Sequence, residues 1–471
     1  MDAFAIRGFN PCESLLRHTP EQLRRFIRRM KTLDFNTLIV HYDYGWQRYK
    51  DIIIEECRNA GVNIILMTFG PRTFFSYTDW KTDWFAKNEQ GESYCKRLEC
   101  ETYPCASNPE ALEAYGYGAR QWLKSLPPEI KHVHMRAADG NKTCQCPGCR
   151  NLPHHDKWQP FVDEFVEAVL DVRSDLKFET DVYIKRFNIP AEHGSFHSMT
   201  NIMYDTFFRR PIYPIGDTGF ADPVFTAHAA TEKNPDAKSP NEYHLNRLKE
   251  WSREFPGKVY IHENAMAQAY CSVFQHGTWS YVQDMETFRK LGIQGVCYEA
   301  FEPGYCNFED MFSLLSRVMK GEEVDYQPTE LEKIVRGVSD GLGHNGGTDY
   351  AYNFSKELIE KYIDDPVQRK HSLLYRDFML KTDVPSFRAF VTFMLENKEK
   401  LDAIYSGSFA GRWGIMFKKF SFCGLSDTAS DMVRRGKLWD FMEDVPLDSD
   451  PRQICFEAIN ELLEKAVDRP E

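Results

Sequence analysis

The chain has 471 residues and a formal charge of -12, from 58 basic and 70 acidic side chains; 42% of its residues are hydrophobic and 14% aromatic. That apolar content fills a large core and excludes a disordered or collagen-like chain. The acidic balance argues against nucleic acid and membrane partners, and no run reaches the roughly 18 apolar residues of a membrane span. The amino terminus lacks the basic region and long apolar run of a signal peptide and reads as mature protein. The 13 cysteines are an odd number, so a reducing cytoplasm is the expected location.

The first 300 residues alternate short apolar runs with amphipathic patterns. Ala3–Gly8 reads as a strand. A helix follows over Pro20–Leu33, with Leu23, Phe26, Ile27 and Met30 spaced for one face. Its arginines 24, 25, 28 and 29 read as a basic helix face. Asn36–Val40 is the second strand, followed by a helix over Arg48–Ala60 and the third strand, Asn63–Phe69. An aromatic-rich insertion spans 70–109. The pattern resumes with a helix over Pro109–Leu126 and a strand over His132–Ala137, then a helix over Trp158–Arg173 and a strand over Lys177–Ile184. Thr200–Tyr204, Lys258–His262 and Gly295–Tyr298 complete the strands, with helices near Pro240–Glu254, Tyr281–Leu291 and Phe308–Met319.

Eight such units predict a (β/α)8 TIM barrel over 1–320. A doubly wound sheet is the alternative, but no glycine-rich turn follows the first strand. The glycine-rich Gly341–Gly347 reads as an interdomain loop. From 321 to 471 the strands disappear, and a helical carboxy-terminal domain is expected.

In such barrels the chemistry sits at the carboxy-terminal ends of the strands. Those ends nominate Glu263, Glu299 and Asp139 as candidate catalytic carboxylates. Arg7, His41, Asp43, Arg136, Asp181 and Asp205 are candidate substrate ligands, with Trp46, Tyr183 and Tyr298 as aromatic platforms. Carboxylates with nearby aromatic faces suit a sugar site: rings stack on the apolar face of a pyranose, and two carboxyls supply acid and base. A carboxylate at a strand end also has structural uses, as a helix cap or an arginine partner. An alternating strand would turn His262 away from Glu263, as a core histidine.

Cys144, Cys146 and Cys149 place three thiols within six residues. They could wrap one structural zinc, with Cys95, Cys100, Cys105 or His154 as the fourth ligand. Cys105 is the one taken here. Such a metal would pin the insertion to the loop after the fourth strand. Unligated buried thiols and disulfides remain alternatives at this point.

The stretch HMRAADGNKTCQCPGCR, residues 134–150, resembles a signature of a poorly characterised group of glycoside-hydrolase-like barrels. In that group a strand leads to an Asp-Gly turn and a Cys-Xaa-Cys-Xaa-Xaa-Cys run. Its relatives include bacterial endo-β-N-acetylglucosaminidases and, more distantly, α-glucuronidases and β-hexosaminidases. The resemblance implies a glycoside hydrolase without an organic cofactor. It implies Asp139 as an active-site residue and Glu263 or Glu299 as acid and base. Hexosaminidases carry an adjacent Asp-Glu pair after the fourth strand, whereas Ala138-Asp139-Gly140 offers one carboxylate.

The expected substrate is a small glycoside or oligosaccharide, and a homo-oligomer is compatible with the sequence. A sugar lyase or isomerase on the same barrel, with His41, His134 or Lys185 as base, is the second reading. A non-catalytic carbohydrate-binding protein is the third.

Overall fold

The computed structural model describes residues 3–328 except 13–14, 16–19, 99–102, 140–141, 208, 212, 220–236, 267–277 and 301–308. Beyond 328 it describes 333, 360, 364–381 and scattered positions between 389 and 400. The strands are β1 (Ile6–Asn10), β2 (Thr37–His41), β3 (Asn63–Phe69), β4 (His132–Arg136), β5 (Lys177–Val182), β6 (Asn201–Asp205), β7 (Val259–Met266) and β8 (Gly295–Ala300). Each pairs in parallel with its neighbour in sequence, and β8 returns to β1, closing the barrel. All eight strands expected from the pattern are present. The first runs later than the sequence suggested, ending at Asn10 rather than Gly8.

The helices follow from local chemistry. In α1 (Pro20–Thr32), Leu23, Phe26, Ile27 and Met30 are all buried. The basic face of α1 packs beside α2 (Gln47–Ala60), where Arg28 forms a two-pronged pair with Glu56. Helix α2 stops at Gly61, whose φ of 68° is the left-handed conformation that glycine adopts without strain. A short α3 (Gly70–Phe75) opens the insertion. Helix α4 (Pro109–Ser125) has proline in its first turn and Asn108 accepting from the Ala111 amide. Helices α5 (His154–Val172), α6 (Gly194–Ser198), α7 (Pro240–Glu254) and α8 (Thr278–Lys290) follow, and Glu309–Met319 is helical.

Strand phase decides what each side chain can do. Ile39, Ile65, Met67, Met203, Tyr260 and Cys297 form a cluster inside the barrel, separate from the larger core between strands and helices. The inner space is tight: a Cβ at Gly8 would lie 2.5 Å from Cys297 Sγ. Successive residues point to opposite faces, so the inner positions are 39 and 41 in β2, 134 and 136 in β4, 179 and 181 in β5, 203 and 205 in β6, 260 and 262 in β7, and 297 and 299 in β8. The alternate positions (Phe9, Leu38, Val133, Phe178, Ile261, Tyr298) belong to the outer core.

Among the described residues no helix is long and apolar enough to cross a membrane. Of the expected carboxy-terminal helical region, Pro366–Lys381 is a helix. Residues 401–471 and the glycine-rich run at 341–347 lie outside the described residues.

Candidate active site at the barrel mouth

The inner positions at the carboxy-terminal end converge on Arg136. Its guanidinium lies 3.4 Å from Asp181 and 3.5 Å from Asp205, all three side chains being buried. It also stacks 4.2 Å from the centroid of Tyr183. Burial opposes its charge, but Asp181 first, then Tyr183, Asp139 and Asp205, outweigh that and keep it a cation. The buried cation is thus compensated by paired carboxylates, as an ion in a low-dielectric site must be.

A second chain of contacts crosses the mouth. Asn10 Nδ2 lies 3.0 Å from His262 Nε2, and His262 Nδ1 lies 3.0 Å from Asp205 Oδ2. An amide nitrogen only donates, so Nε2 accepts and Nδ1–H donates to Asp205. His262 is therefore a member of the mouth, contrary to the expectation of a core histidine facing away from it. His41 is buried beside Tyr44 and Phe69, at 5.4 and 5.7 Å between centroids. Burial, then Arg136 and the neighbouring histidines, hold its pKa well below the usual value. Neither of its ring nitrogens has a hydrogen-bond partner among the described residues.

Two partly exposed carboxylates stand over this floor. Glu299 is at an inner position of β8, opposite Asn10 in the register. Asp139 follows β4. Burial pushes the Tyr183 phenol well above its ordinary pKa, and Asp139, Asp205 and Glu299 push it further in the same direction. All three carboxylates therefore lie within electrostatic reach of one hydroxyl. The chain after β5 turns sharply: Ile184 and Lys185 take φ of 27° and 55°, unfavourable for side-chain-bearing residues. This turn brings Arg186 back to Asp181, 3.6 Å away.

Five expected site residues are placed elsewhere. Glu263 is on the outer phase of β7. It lies 2.8 Å from Arg209 Nε and accepts from Thr206 Oγ1 at 3.0 Å, while Arg209 reaches Asp284 of α8 at 2.6 Å. It ties the barrel wall to a helix and does not face the mouth. Tyr298, its register partner, is also outward, against Tyr281, Phe9 and Phe312. Arg7 lies low on β1, donating to the carbonyls of Phe4 and Asp34. A strand ending at Gly8 would place Arg7 at the mouth; the strand ends at Asn10 and leaves it below. Asp43 accepts from the Phe69 amide and the Thr68 and Thr73 hydroxyls, so its carboxylate holds the start of α3. Trp46 is buried in the outer core. In contrast Arg136, Asp181, Tyr183, Asp205 and His41 lie together at the mouth.

Sequence reasoning missed Glu179, at an inner position deeper in β5. Its carboxylate contacts His134 Nδ1 at 2.9 Å, His132 Nε2 at 2.9 Å and the Tyr260 hydroxyl at 2.6 Å. Burial opposes its ionisation, but the two histidines outweigh that and hold its pKa below the usual carboxylate range. The repeated polar residues of His-Val-His-Met-Arg were the available signal. A cavity of about 510 Å³ lies at the opposite, amino-terminal end, beside Ile6, Thr37, Asn63 and Asn201. Those are strand-start residues, and the convergent charged groups are at the other end, where barrel chemistry resides.

The third feature is the cysteine cluster. The sulfurs of Cys105, Cys144, Cys146 and Cys149 all lie within 4.8 Å of one another. Cys95 is buried elsewhere, with its sulfur 3.1 Å from the Arg97 carbonyl, and His154 approaches Thr143 instead. Cys100 lies outside the described residues. The hydrogen bonds among the thiols pull the Cys105 pKa down and, through the same contact, push that of Cys144 up, so the protons are shared within the cluster.

No family model matches this chain, and no curated protein does. Solved structures are similar to it at low identity. A glycoside hydrolase family 5 protein from Bacteroides vulgatus is 9% identical with a TM-score of 0.37; the match covers 69% of this chain and 61% of that one. The PgaB (BpsB) glycoside hydrolase domain from Bordetella bronchiseptica is 12% identical with a TM-score of 0.43, covering 68% of this chain and all of that domain. An L-ribulose 3-epimerase is 11% identical with a TM-score of 0.35, covering 78% of this chain and all of that one. The closed barrel is given by the strand pairing itself.

Proposed function

We propose that the chain is a glycoside hydrolase that takes a small glycoside or oligosaccharide at the barrel mouth. The observation that carries this reading is the pair of partly exposed carboxylates, Asp139 and Glu299, on either side of the buried Arg136–Asp181–Asp205 cluster and facing Tyr183. Glycoside cleavage needs two carboxyls, one to protonate the leaving oxygen and one to attack or to activate water. Asp139 and Glu299 fill these two roles. Tyr183, held flat against Arg136, offers its hydroxyl to the sugar. Asp205, buried and fixed by His262 and Arg136, forms part of the floor beneath the sugar. The ion pairs beneath keep these groups in place without reorganisation during reaction. Glu263 has no part in this chemistry.

The test is turnover on a panel of chromogenic aryl glycosides. The panel covers both anomers of glucose, galactose, N-acetylglucosamine, glucuronic acid, fucose and xylose. On the glycoside that turns over, Glu299→Gln and Asp139→Asn should each lose about 10²–10⁴ in rate with thermal stability near that of the parent. Near-parental turnover in both variants refutes the assignment. Sugar binding without turnover anywhere on the panel favours a carbohydrate-binding protein. His41, neutral and with no hydrogen-bond partner for either ring nitrogen among the described residues, supports a second reading as the base of a sugar lyase or isomerase. That reading predicts sugar isomerisation or elimination that is lost in His41→Gln.

A further inference from the structure

The geometry points to a structural zinc bound by Cys105, Cys144, Cys146 and Cys149 that fixes the loop carrying Asp139. Four sulfurs around zinc at about 2.3 Å stand about 3.8 Å apart at the corners of a tetrahedron. Here Cys105 Sγ lies 3.5 Å from Cys144, 3.7 Å from Cys146 and 3.8 Å from Cys149. The four thiols are free, so four sulfur ligands are available and no coordination position is left for substrate. A closed four-thiolate set is a structural metal site rather than a hydrolytic one.

The surroundings are those of thiolate ligands. The Lys87 amide donates to Cys144 Sγ at 3.4 Å, and the Ser107 hydroxyl lies 3.2 Å from Cys146 Sγ. Contacts of this kind orient metal ligands and offset their charge. Residues 146–150 form a tight knuckle, with the amides of Cys149 and Arg150 both donating to the Cys146 carbonyl. At its tip a Cβ on Gly148 would fall 2.7 Å from Ser107 Cβ, so the knuckle sits directly on the segment that supplies Cys105. Lys157 lines the same small recess as Cys144. Four thiolates and a divalent zinc sum to -2, which that ammonium offsets in part.

The metal would join two loops that secondary structure does not hold together. Cys105 lies in the insertion, and the other three lie five to ten residues beyond Asp139. Two residues before Cys105, the Tyr103 hydroxyl donates to the carbonyl of Ala138, next to Asp139, at 2.8 Å. The same hydroxyl accepts from Arg186 at 2.9 Å, and Arg186 reaches Asp181. The cluster is therefore connected through Tyr103 to the chain after β4 and to Asp181 of the adjacent β5. The role assigned to this connection rests on the reading of Asp139 given above; the metal site itself does not.

The full-length protein, purified without chelator, should carry one zinc per chain by elemental mass spectrometry. After exchange, cobalt should give the thiolate charge-transfer and ligand-field bands of a tetrahedral all-sulfur site. Cys146→Ser, at the most exposed of the four positions, and Cys149→Ser should each lose most of the metal. Hydrogen exchange should then quicken in residues 84–107 and 137–150 while the barrel strands stay protected. Tyr103→Phe should keep the zinc yet loosen 137–143, separating the metal from its connection to the mouth. Absence of metal, a zinc content unchanged by the cysteine substitutions, or disulfides among these four residues by intact mass overturns the site. None of these readouts uses turnover, so a bound zinc beside a failed glycoside panel would refute only the hydrolase reading.

Discussion

Glu263 gives the sharpest test of how the barrel sorts its carboxylates. Burial pushes its pKa up to about 7 against the pull of Arg209. A carboxyl near 7 is also what a general acid needs, so titration alone would make it a catalyst. Its direction says otherwise, because it points at Arg209 and α8. An unfolded glutamate titrates near 4.3. Between those values the folded state holds a proton that the unfolded chain has released. The resulting stability is fully present below about pH 4.3 and is lost as pH rises through 7, about 3–4 kcal/mol in total. Glu263→Gln removes this dependence. It retains an acceptor for Thr206 and Arg209 and leaves the Arg209–Asp284 pair at 2.6 Å. Above about pH 7 the buried triad passes from a net charge of -1 to neutral. Urea midpoints for parent and variant at about pH 5 and pH 8 measure the effect. Relative to the parent, the variant should gain up to about 3 kcal/mol between those values. Its turnover should stay within roughly twofold. A rate loss of several orders of magnitude with an unchanged pH dependence would place Glu263 among the reacting groups and refute the phase argument.

Arg136→Met should destabilise the fold by about 3 kcal/mol at neutral pH, read as a lowered urea midpoint, because it takes from the buried Asp181 and Asp205 the cation they share and leaves Arg186 with the one and the His262 N–H with the other. His244 is buried with its pKa lowered to about 4, burial being the main cause. Its stability contribution is present above about pH 6.5 and is lost as pH falls through 4, about 3 kcal/mol in all; His244→Gln should flatten that limb of the urea-midpoint profile. Gly118→Ala should cost about 3 kcal/mol or more in thermal unfolding, since its Cβ would meet the Phe74 carbonyl oxygen at 1.9 Å, where backbone gives way poorly.

The barrel was legible because its strands and helices carry different hydrophobic periods. The apolar stripe of α1 and the short runs of β3 and β6 each admit one reading, and eight repeats of that alternation left few folds to consider. The error at β1 was a boundary error of two residues, and it moved Arg7 from the foot of a strand to its end. The cysteine cluster was legible in part from spacing: three thiols within six residues must lie together. The choice of Cys105 over Cys95 depends on where the insertion folds back, through the pairing of Phe85 with Pro104. Local sequence does not encode that contact.

The mouth was harder to read because proximity to a strand end does not say which way a side chain points. In a barrel wrapped by helices the outer phase is the more continuously apolar one. Val133 and Met135 mark it in β4, and Phe178 and Val182 in β5. In β7 the apolar phase is Val259 and Ile261, and Glu263 continues it; His262 belongs with Tyr260 inside. In β8 Val296 and Tyr298 are outward, which turns Glu299 inward. The same rule, applied to adjacent strands, thus separates two glutamates that look equivalent by position. An outward carboxylate meets a helix and must be neutralised there, as Arg209 does for Glu263. An inward one near the end of a strand lines the open mouth, where a ligand can reach it. On that ground Glu299 is the carboxylate whose substitution should abolish turnover, and Glu263 the one whose substitution should change only the dependence of stability on pH.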